Sequence, residues 1–281
     1  MAYENYNLIQ VEVRGKVAYA TINNPPTNLI TRALLEELTR LSTELERDEE
    51  LLVVVLRSAN PDFFIAHFDV AAILEFPIDK PARHEDYANA FYHEMCERFR
   101  LMGKVTIAQI EGRVGGGGSE LAMSFDMRFG VRGKTCVNQM EVPLGILPGG
   151  TGTQRMPRLI GRNRAMEIIM GGIDMDADTA ERWGYLNRAF EPGQIGAYVE
   201  WLAQRIASFP VEAVRLTKQA INSAAKPLAE GFRDESYLFQ QLCRTESGRR
   251  NMRRFLEIGG QTREGELKIQ ELNGRLGGLD K

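Results

Sequence analysis

The chain has 281 residues, 43% of them hydrophobic and 26% charged, with a formal net charge of −3 at pH 7. These proportions are typical of an ordinary globular protein, and the charge gives no reason to expect nucleic acid or an acidic membrane surface as a partner. The three cysteines are scattered and form no CxxC pair, which argues against a disulfide framework and a zinc site. No apolar run approaches the ~18 residues of a membrane span, and the N-terminus lacks a signal-peptide pattern. We expect a cytoplasmic protein with no metal, no nucleic-acid partner and no membrane partner.

The pattern of residues 1–104 predicts strands that alternate with helices. Apolar patterning predicts strands at Leu8–Val13, Val17–Ile22 and Leu51–Leu56, the first two of them paired as a hairpin. The last of the three is apolar throughout, as a strand buried on both faces is. Helical patterns follow Thr31, which is a suitable N-cap, and run through Ala71–Leu74 and from about His84 to Leu101.

The stretch Val105–Asp126 is the most constrained backbone arrangement that the sequence predicts. A buried strand at Val105–Ile110 is followed by four glycines at 115–118, which indicate a turn, and by apolar residues from Leu121 that indicate a helix. Glycine lets another group approach the main chain, and a helix N-terminus points unpaired N–H groups at whatever lies there. We therefore expect a ligand site at this turn, with Glu120 in the first turn of the helix.

The second half of the chain predicts one more strand and then helices. A strand at Met127–Val131 precedes a loop rich in glycine and proline at 137–153, and from Gln154 onward there is almost no strand signal. Helical patterns occur at Ala165–Met170, Asp178–Trp183, Ile195–Ser208, Val211–Ala225, Glu230–Arg244, Gly248–Ile258 and Gly265–Leu276. This order of elements predicts one α/β core with a helical C-terminal extension.

Several familiar motifs fail because a required residue is missing or misplaced. A P-loop ending at Gly133–Thr135 would need a glycine where Arg128 stands, and the four glycines lack the spacing of a dinucleotide-binding turn. Ser119 lacks the second glycine of a nucleophile elbow. The three histidines have no metal-ligand spacing. The best candidate motifs for nucleotide binding, serine hydrolysis and metal catalysis are therefore all rejected.

A pair of carboxylates remains. Glu120 directly follows the glycines and Ser119, and Glu141 lies in the segment Asn138–Gly149. Two carboxylates near one polarised carbonyl can act as a general acid and a general base, because one activates water while the other gives or takes the α-proton. Either glutamate alone is more simply a surface group, but their joint setting favours a catalytic site.

These two segments resemble the crotonase (enoyl-CoA hydratase/isomerase) superfamily, and the resemblance runs from about Leu8 to Ile258. The strongest match is Glu111–Ala122, EGRVGGGGSELA, against the family's N-G-x-x-x-G-G-G-x-E-L-A. Glu141–Arg155, EVPLGILPGGTGTQR, is similar to the family's P-E-x-x-L-G-x-x-P-G-x-G-G-T-Q-R. Weaker matches lie at Asn24–Asn28 and at Phe64–Asp69, the latter in the place of the family's F-x-A-G-A-D.

The resemblance implies an α/β fold in which a spiral of ββα units, residues 1–200, carries the acyl-CoA site. Residues 201–281 would form a helical C-terminal region that trimerises. The implied partners are an acyl-CoA substrate and further copies of the chain, as a homotrimer or homohexamer. No separate cofactor is implied, because coenzyme A is part of the substrate.

The resemblance also implies roles for residues at matching positions. The backbone N–H groups of Phe68 and Gly117 would form an oxyanion hole for the thioester carbonyl, an effect worth roughly 3–4 kcal/mol per donor. Glu120 would position and deprotonate water, and Glu141 would exchange the proton at Cα, so that water adds syn across a 2-enoyl thioester. Substrate or coenzyme A contacts would involve Asn28, Leu29, Ala66, His67, Asp69, Gly116, Met140 and Gly149.

The sequence departs from the family pattern at three places. His67 and Phe68 replace the glycine and alanine before the family's aspartate, which keeps an N–H donor but adds a ring beside the oxyanion hole. Met140 replaces a proline, and the family's F-x-E-K-R-x-P-x-F ending is blurred at Phe255–Gly260, so no role of its lysine carries over. His67 is either a partly exposed loop residue or a third catalytic or substrate-orienting group, since histidine titrates near neutral pH.

Three interpretations stay open. Two intact glutamates favour an enoyl-CoA hydratase. The first alternative is another crotonase reaction with His67 participating, such as double-bond isomerisation or hydrolysis of a thioester or of a C–C bond in a β-diketone. A non-catalytic RNA-binding or scaffold oligomer is less favoured, because both glutamates are present and the chain is mildly acidic.

Overall fold

The computed structural model describes residues 3–81, 83 and 90–278. The strands in this part of the chain are β1 Ile9–Arg14, β2 Val17–Ile22, β3 Val53–Ser58, β4 Phe63–Ile65, β5 Val105–Ile110, β6 Arg113–Gly115, β7 Met127–Val131, β8 Cys136–Asn138, β9 Met175–Asp176 and β10 Arg188–Phe190. The helices are α1 Arg32–Arg47, α2 Val70–Leu74, α3 Phe91–Leu101, α4 Gly116–Ala122, α5 Gly152–Ile160, α6 Arg162–Gly171, α7 Ala177–Trp183, α8 Ile195–Ala207, α9 Val211–Ser223, α10 Leu228–Leu242, α11 Glu246–Glu257, α12 Arg263–Leu267 and α13 Ile269–Leu276.

The strands form two sheets. The larger sheet has the order β1-β2-β3-β5-β7-β10, in which β1 is antiparallel to β2 and the other neighbours are parallel. The smaller sheet has the order β4-β6-β8-β9, with only its last pair antiparallel. Strands β4, β6 and β8 of the smaller sheet each come directly after a strand of the larger one, so the chain passes repeatedly between the two.

The main hydrophobic core lies between the sheets. Val54 of β3 and Ala108 of β5 face Val114 of β6 and Val137 of β8 in one buried cluster that α1 also joins. The opposite face of the larger sheet is covered by α8. A sheet that is covered on both faces needs strands that are apolar throughout, which explains the continuous apolar run of β3.

Local patterns predicted the first elements well. The hairpin of β1 and β2 is confirmed, with Arg14 paired to Val17 across its turn. Thr31 caps α1, since its side chain accepts a hydrogen bond from the Leu34 N–H. The strand predicted at Leu51–Leu56 is present but runs from Val53 to Ser58.

Other predictions were wrong or incomplete. The glycines at 116–118 do not form a turn before a helix: they are the first turn of α4, and β6 lies between β5 and that helix. The loop predicted at 137–153 contains the end of β8 and the start of α5, and two short strands, β9 and β10, follow where almost no strand was expected. These strands have two or three residues, too few to show an alternating pattern. The helix predicted from about His84 begins at Phe91, and residues 84–89 lie outside the described residues.

The C-terminal part of the chain is helical, as predicted. Helices α9 and α10 pack against each other, and the helix predicted at Gly265–Leu276 is divided into α12 and α13. Helix α8 crosses the boundary predicted at residue 200 and packs on the larger sheet. The division into residues 1–200 and 201–281 stays a prediction. No helix in the described part of the chain has the length and apolar character of a membrane span.

We expect Gly118→Ala to lower the free energy of unfolding by about 1–3 kcal/mol, the usual cost of overpacking. A Cβ at this position would lie 2.6 Å from the backbone oxygen of Ile65. Thermal and urea unfolding would measure the change. Gly196→Ala in α8 is the matched control, because its nearest neighbour would be 3.9 Å away and alanine favours a helix. Equal stability of the two variants would contradict the prediction.

Candidate active site

The site is built where the N-terminus of α4 meets the end of β4. A Cβ on Gly115 would lie 2.6 Å from the carbonyl oxygen of Ala66, and one on Gly118 would overlap Ile65. Only glycine permits this contact, because any other residue would push the two backbones apart. The close packing places the segment after β4 directly against the first turn of α4.

This contact brings two backbone N–H groups together, those of Phe68 and Gly117. A Cβ built on Gly117 would lie 3.5 Å from the nitrogen of Phe68. The N–H of Gly117 belongs to the first turn of a helix, where it has no partner within the helix. Among the described residues, none accepts a hydrogen bond from the Phe68 N–H, although Ile30 is bonded to both neighbours, His67 and Asp69. The two donors can therefore converge on one oxygen atom.

Glu120 is buried, with 3% of its surface exposed, in the second turn of α4. Its Oε1 accepts hydrogen bonds from the backbone N–H groups of Gly150 (2.8 Å) and Gly152 (2.7 Å). Burial raises the pKa of this carboxyl to about 7, with a smaller contribution from the charge of Glu141, while the two N–H donors oppose the rise. A carboxyl that titrates near neutral pH can both take and give a proton.

Glu141 is the second buried carboxylate, 7% exposed, at the start of a 3₁₀ turn at Val142–Leu144. Burial also raises its pKa. When the amide of Gln139 is oriented to satisfy both of its ends, its nitrogen lies 3.0 and 3.2 Å from the two oxygens of Glu141. The opposite orientation would set an oxygen against the carboxylate, acceptor against acceptor.

Tyr92 of α3 completes the polar part of the site. Its hydroxyl donates a hydrogen bond to the carbonyl oxygen of Gly117 at 2.5 Å, and its ring meets that of Phe68 edge-on at 6.1 Å. Burial raises the pKa of Tyr92 well above its ordinary value, so the hydroxyl keeps its proton. The neighbouring His93 bonds through Nε2 to the carbonyl oxygen of Gly149 at 2.7 Å. Sequence reasoning missed Tyr92, because nothing near it in the chain distinguishes it from a core aromatic residue.

A cavity of about 1000 Å³ opens from these groups. Seven of the predicted site residues line it, namely His67, Phe68, Gly117, Glu120, Met140, Glu141 and Gly149. The remaining lining is largely apolar and comes from α1, α2, the start of α3 and the loop after Glu141, including Leu35, Val70, Ile73, Phe76, Phe91, Leu144, Ile146 and Leu147. A mostly apolar cavity with a few convergent polar groups is the usual form of a small-molecule site.

The other five predicted binding residues are not among the residues that line the cavity. The side chain of Asn28 is fully buried and donates to Ser58 Oγ and the carbonyl oxygens of Phe63 and Phe64. Asp69 caps α2, and Ala66 and Leu29 accept or donate hydrogen bonds through their backbones. Gly116, with φ of +45°, lets Glu141 and His67 approach within 3.0 Å of where its Cβ would be. Contacts of these residues with a substrate stay predictions.

His67 lines the cavity and is partly buried. Its Nδ1 lies 2.7 Å from the carbonyl oxygen of Phe68, which can only accept, so the Nδ1–H group donates a hydrogen bond to that oxygen. This leaves Nε2 free to accept a hydrogen bond. The geometry is compatible with either of the two roles expected for His67.

Comparison with known proteins identifies the family. A model of the enoyl-CoA hydratase/isomerase family matches residues 12–264. The chain belongs to this family. It is therefore an enzyme of the crotonase superfamily, as its glycine and glutamate motifs predicted, and the predicted α/β fold with a helical C-terminal region is confirmed.

Individual relatives of this enoyl-CoA hydratase/isomerase family member match over almost their whole length. The short-chain-enoyl-CoA hydratase of Clostridium acetobutylicum is 34% identical, over 89% of this chain and 95% of the relative. The crotonyl-CoA hydratase of Syntrophomonas wolfei is 31% identical, over 92% and 96%. The crystal structure of an enoyl-CoA hydratase from Bacillus anthracis superposes with a TM-score of 0.82 at 28% identity, over 89% and 96%.

The described residues of this family member hold no cluster of three or more His, Cys, Asp or Glu side chains that could bind a metal ion. The three cysteines are free thiols: Cys96 is buried, and Cys136 and Cys243 are partly buried. Burial raises the pKa of Cys96 to about 12 and that of Cys136 to about 11, so both stay protonated at neutral pH.

We expect Glu120→Gln to become more stable relative to the wild type as the pH rises from about 4.5 to about 7. The folded-state pKa of Glu120 lies above its ordinary value of 4.5, so the stabilisation by the bound proton is complete below that value and is lost as the pH passes about 7. Glutamine cannot ionise and escapes this loss. Melting temperatures of both proteins across this range would measure the difference.

The matched control for this pH series is Glu50→Gln, at an exposed glutamate far from the cavity. Its melting temperature should run parallel to that of the wild type. A Glu120→Gln profile that also runs parallel would contradict the raised pKa.

Proposed function

We propose that the protein is an enoyl-CoA hydratase that adds water syn across the double bond of a 2-enoyl-CoA thioester. The observation that carries the proposal is the pair of buried carboxylates, Glu120 and Glu141, beside two converging N–H donors in one cavity. The names of the relatives from Clostridium acetobutylicum and Syntrophomonas wolfei support the same reaction type. Coenzyme A would be part of the substrate, and no separate cofactor is required.

In the proposed mechanism the N–H groups of Phe68 and Gly117 bind the thioester oxygen. They stabilise the negative charge that develops there when water attacks Cβ. Glu120 takes a proton from the attacking water, whose hydroxyl oxygen bonds to Cβ, and Glu141 gives its own proton to Cα. Return of the proton from Glu120 to Glu141 restores the site, so that one water molecule is added in each turnover. In the dehydrating direction the two roles reverse.

The raised pKa values fit this division of work. A base whose pKa lies near 7 has a large ionised fraction at neutral pH and still takes a proton readily. An acid whose pKa is raised by burial keeps a proton available for Cα. The single water would lie between the two carboxylates, which gives both new bonds to the same face of the alkene.

We expect the wild type to hydrate a short 2-enoyl-CoA and each of Glu120→Gln and Glu141→Gln to lose about 10²–10⁴-fold in kcat, as removal of a general acid or base does. Loss of the absorbance of the conjugated thioester would measure the rate. A non-hydrolysable acyl-CoA analogue should still stabilise both variants, by about 2.7 kcal/mol at about 100 times its Kd. Failure of the wild type to hydrate any enoyl thioester would overturn the proposal.

His67 supports one alternative reaction on the same thioester, an isomerisation or hydrolysis in which its free Nε2 takes part. The observation that favours it is the bond from Nδ1 to the Phe68 carbonyl, which fixes the ring at the edge of the oxyanion hole. His67→Ala separates the two functions. A hydratase should keep its rate within about tenfold, whereas loss of turnover comparable to that of Glu120→Gln would favour the alternative.

We further propose that the protein self-associates as a homotrimer or homohexamer through its C-terminal helices. Helices α9, α10 and α11 expose seven large apolar side chains, Ile221, Leu228, Phe232, Tyr237, Phe239, Met252 and Leu256. An exposed apolar surface of this kind marks an interaction site.

The cytoplasmic location stays a prediction.

The native particle should have three or six times the 31.6 kDa mass of one chain, by light scattering on a sizing column. Phe232→Glu should reduce the particle mass, since it puts a charge into the proposed contact. Val13→Glu, at an exposed apolar residue of β1, is the control and should leave the mass unchanged. A wild-type monomer would contradict the assembly.

A further inference from the structure

A buried line of hydrogen-bonding side chains runs from Glu141 away from the cavity. Gln139 contacts the carboxylate, and its amide oxygen lies 3.2 Å from Ser119 Oγ. The Ser119 hydroxyl lies 2.9 Å from the hydroxyl of Tyr185. Gln139, Ser119 and Tyr185 are all fully buried, with 0% of their surface exposed. Neither Ser119 nor Tyr185 is among the described residues that line the cavity.

When Glu141 is ionised, one arrangement of protons satisfies the whole line. The ionised carboxylate only accepts hydrogen bonds, so Gln139 turns its nitrogen toward it and its oxygen toward Ser119. Ser119 has one proton, which that oxygen takes. Tyr185 keeps its proton, because burial raises the pKa of its hydroxyl to about 12, and donates it to Ser119, whose Oγ lies 2.9 Å and whose carbonyl oxygen lies 3.4 Å from that hydroxyl.

The position of Tyr185 is itself fixed. Its backbone N–H donates to the carbonyl oxygen of Ala180 at 2.9 Å, and its carbonyl oxygen accepts from Nε of the buried Arg128 at 2.7 Å. Gly184, with φ of +89°, ends α7 just before it and turns the chain inward. The hydroxyl thus has a defined position before any substrate is bound.

We propose that Ser119 and Tyr185 are positioning residues that lock the amide of Gln139, and through it the carboxylate of Glu141, in the orientation that the reaction needs. Neither residue touches the substrate. This inference rests on the proposed function for the reaction that Glu141 serves, but the orientation of Gln139 is a property of the resting enzyme and can be measured without turnover.

Removal of the Ser119 hydroxyl has a defined consequence. The amide oxygen of Gln139 then has no hydroxyl donor at Ser119, so the amide can rotate and turn its oxygen toward Glu141. An amide oxygen next to the carboxyl favours the protonated form, so the pKa of Glu141 rises further. The other titratable or charged groups that line the cavity are Arg32 and Glu36 on α1, His67 after β4, Tyr92 on α3 and Glu120 on α4. The substitution replaces none of them, and the charge of Glu141 contributes to the raised pKa of Glu120, so both glutamates are followed in the test.

The test compares Ser119→Ala, Tyr185→Phe and the double variant with the wild type. Titration of ¹³C-labelled glutamate by NMR, with the Glu141 signal assigned from Glu141→Gln, measures the pKa of Glu141 directly. Turnover of a short 2-enoyl-CoA measures kcat and KM. Tyr19→Phe is the matched control, since Tyr19 is equally buried but lies on the other face of the larger sheet.

We expect Ser119→Ala to raise the pKa of Glu141 and to lower kcat by about fivefold or more, the effect of one lost hydrogen bond, with little change in KM. Tyr185→Phe should act in the same direction but more weakly. The double variant should match Ser119→Ala alone, because the two groups act in series and the tyrosine works only through the serine. Tyr19→Phe should change neither quantity.

Three results would overturn the proposal: an unchanged pKa of Glu141 in both single variants, additive losses in the double variant, or a fall in melting temperature with no change in pKa or kcat. If Ser119→Ala does not fold, Tyr185→Phe decides by the same measurements. If the wild type hydrates no enoyl thioester, the proposed function fails, and the NMR titration still decides the role of Ser119 and Tyr185.

Discussion

The contact between the first turn of α4 and the end of β4 is the constraint on which the site depends. Gly115 and Gly118 lie against the backbone of Ala66 and Ile65, at distances that no side chain would allow. The same contact lies at the end of the β4–β6 pair of the smaller sheet and sets the N–H of Phe68 beside the start of a helix. The same close approach of two backbone segments therefore packs α4 against the end of β4 and brings the N–H groups of Phe68 and Gly117 together.

The two carboxylates are both buried but have different hydrogen-bond partners. Glu120 is bonded by the backbone N–H groups of Gly150 and Gly152, which partly offset the cost of removing its charge from water. Glu141 is supported by a side chain, that of Gln139. The position of a backbone N–H donor depends on the fold alone. A side-chain amide can rotate by 180°, so its orientation must be fixed by further groups. The buried hydroxyls of Ser119 and Tyr185 lie on the Glu141 side, next to Gln139.

The cavity combines this polar end with a mainly apolar wall. Side chains from α2 and from the loop after Glu141 form much of that wall, and the hydrogen bonds of Tyr92 and His93 attach α3 to the glycine run and to the loop at Gly149. Segments distant in the chain thus meet at one point. Both carboxylates are largely shielded from solvent, so their charges and the N–H dipoles act more strongly than they would in water.

The sequence by itself determined the elements with a long local pattern, such as the β1–β2 hairpin, α1 and β5, and the family through the motifs around Glu120 and Glu141. It could not locate strands of two or three residues, which exist because of their partners and have no period of their own. Only the tertiary structure decided that the glycines begin a helix, that Tyr92 lies at the cavity and that Tyr185 contacts Ser119. These tyrosines lie 25 and 66 residues along the chain from the groups they bond, and contacts over such separations leave no local signal in the sequence.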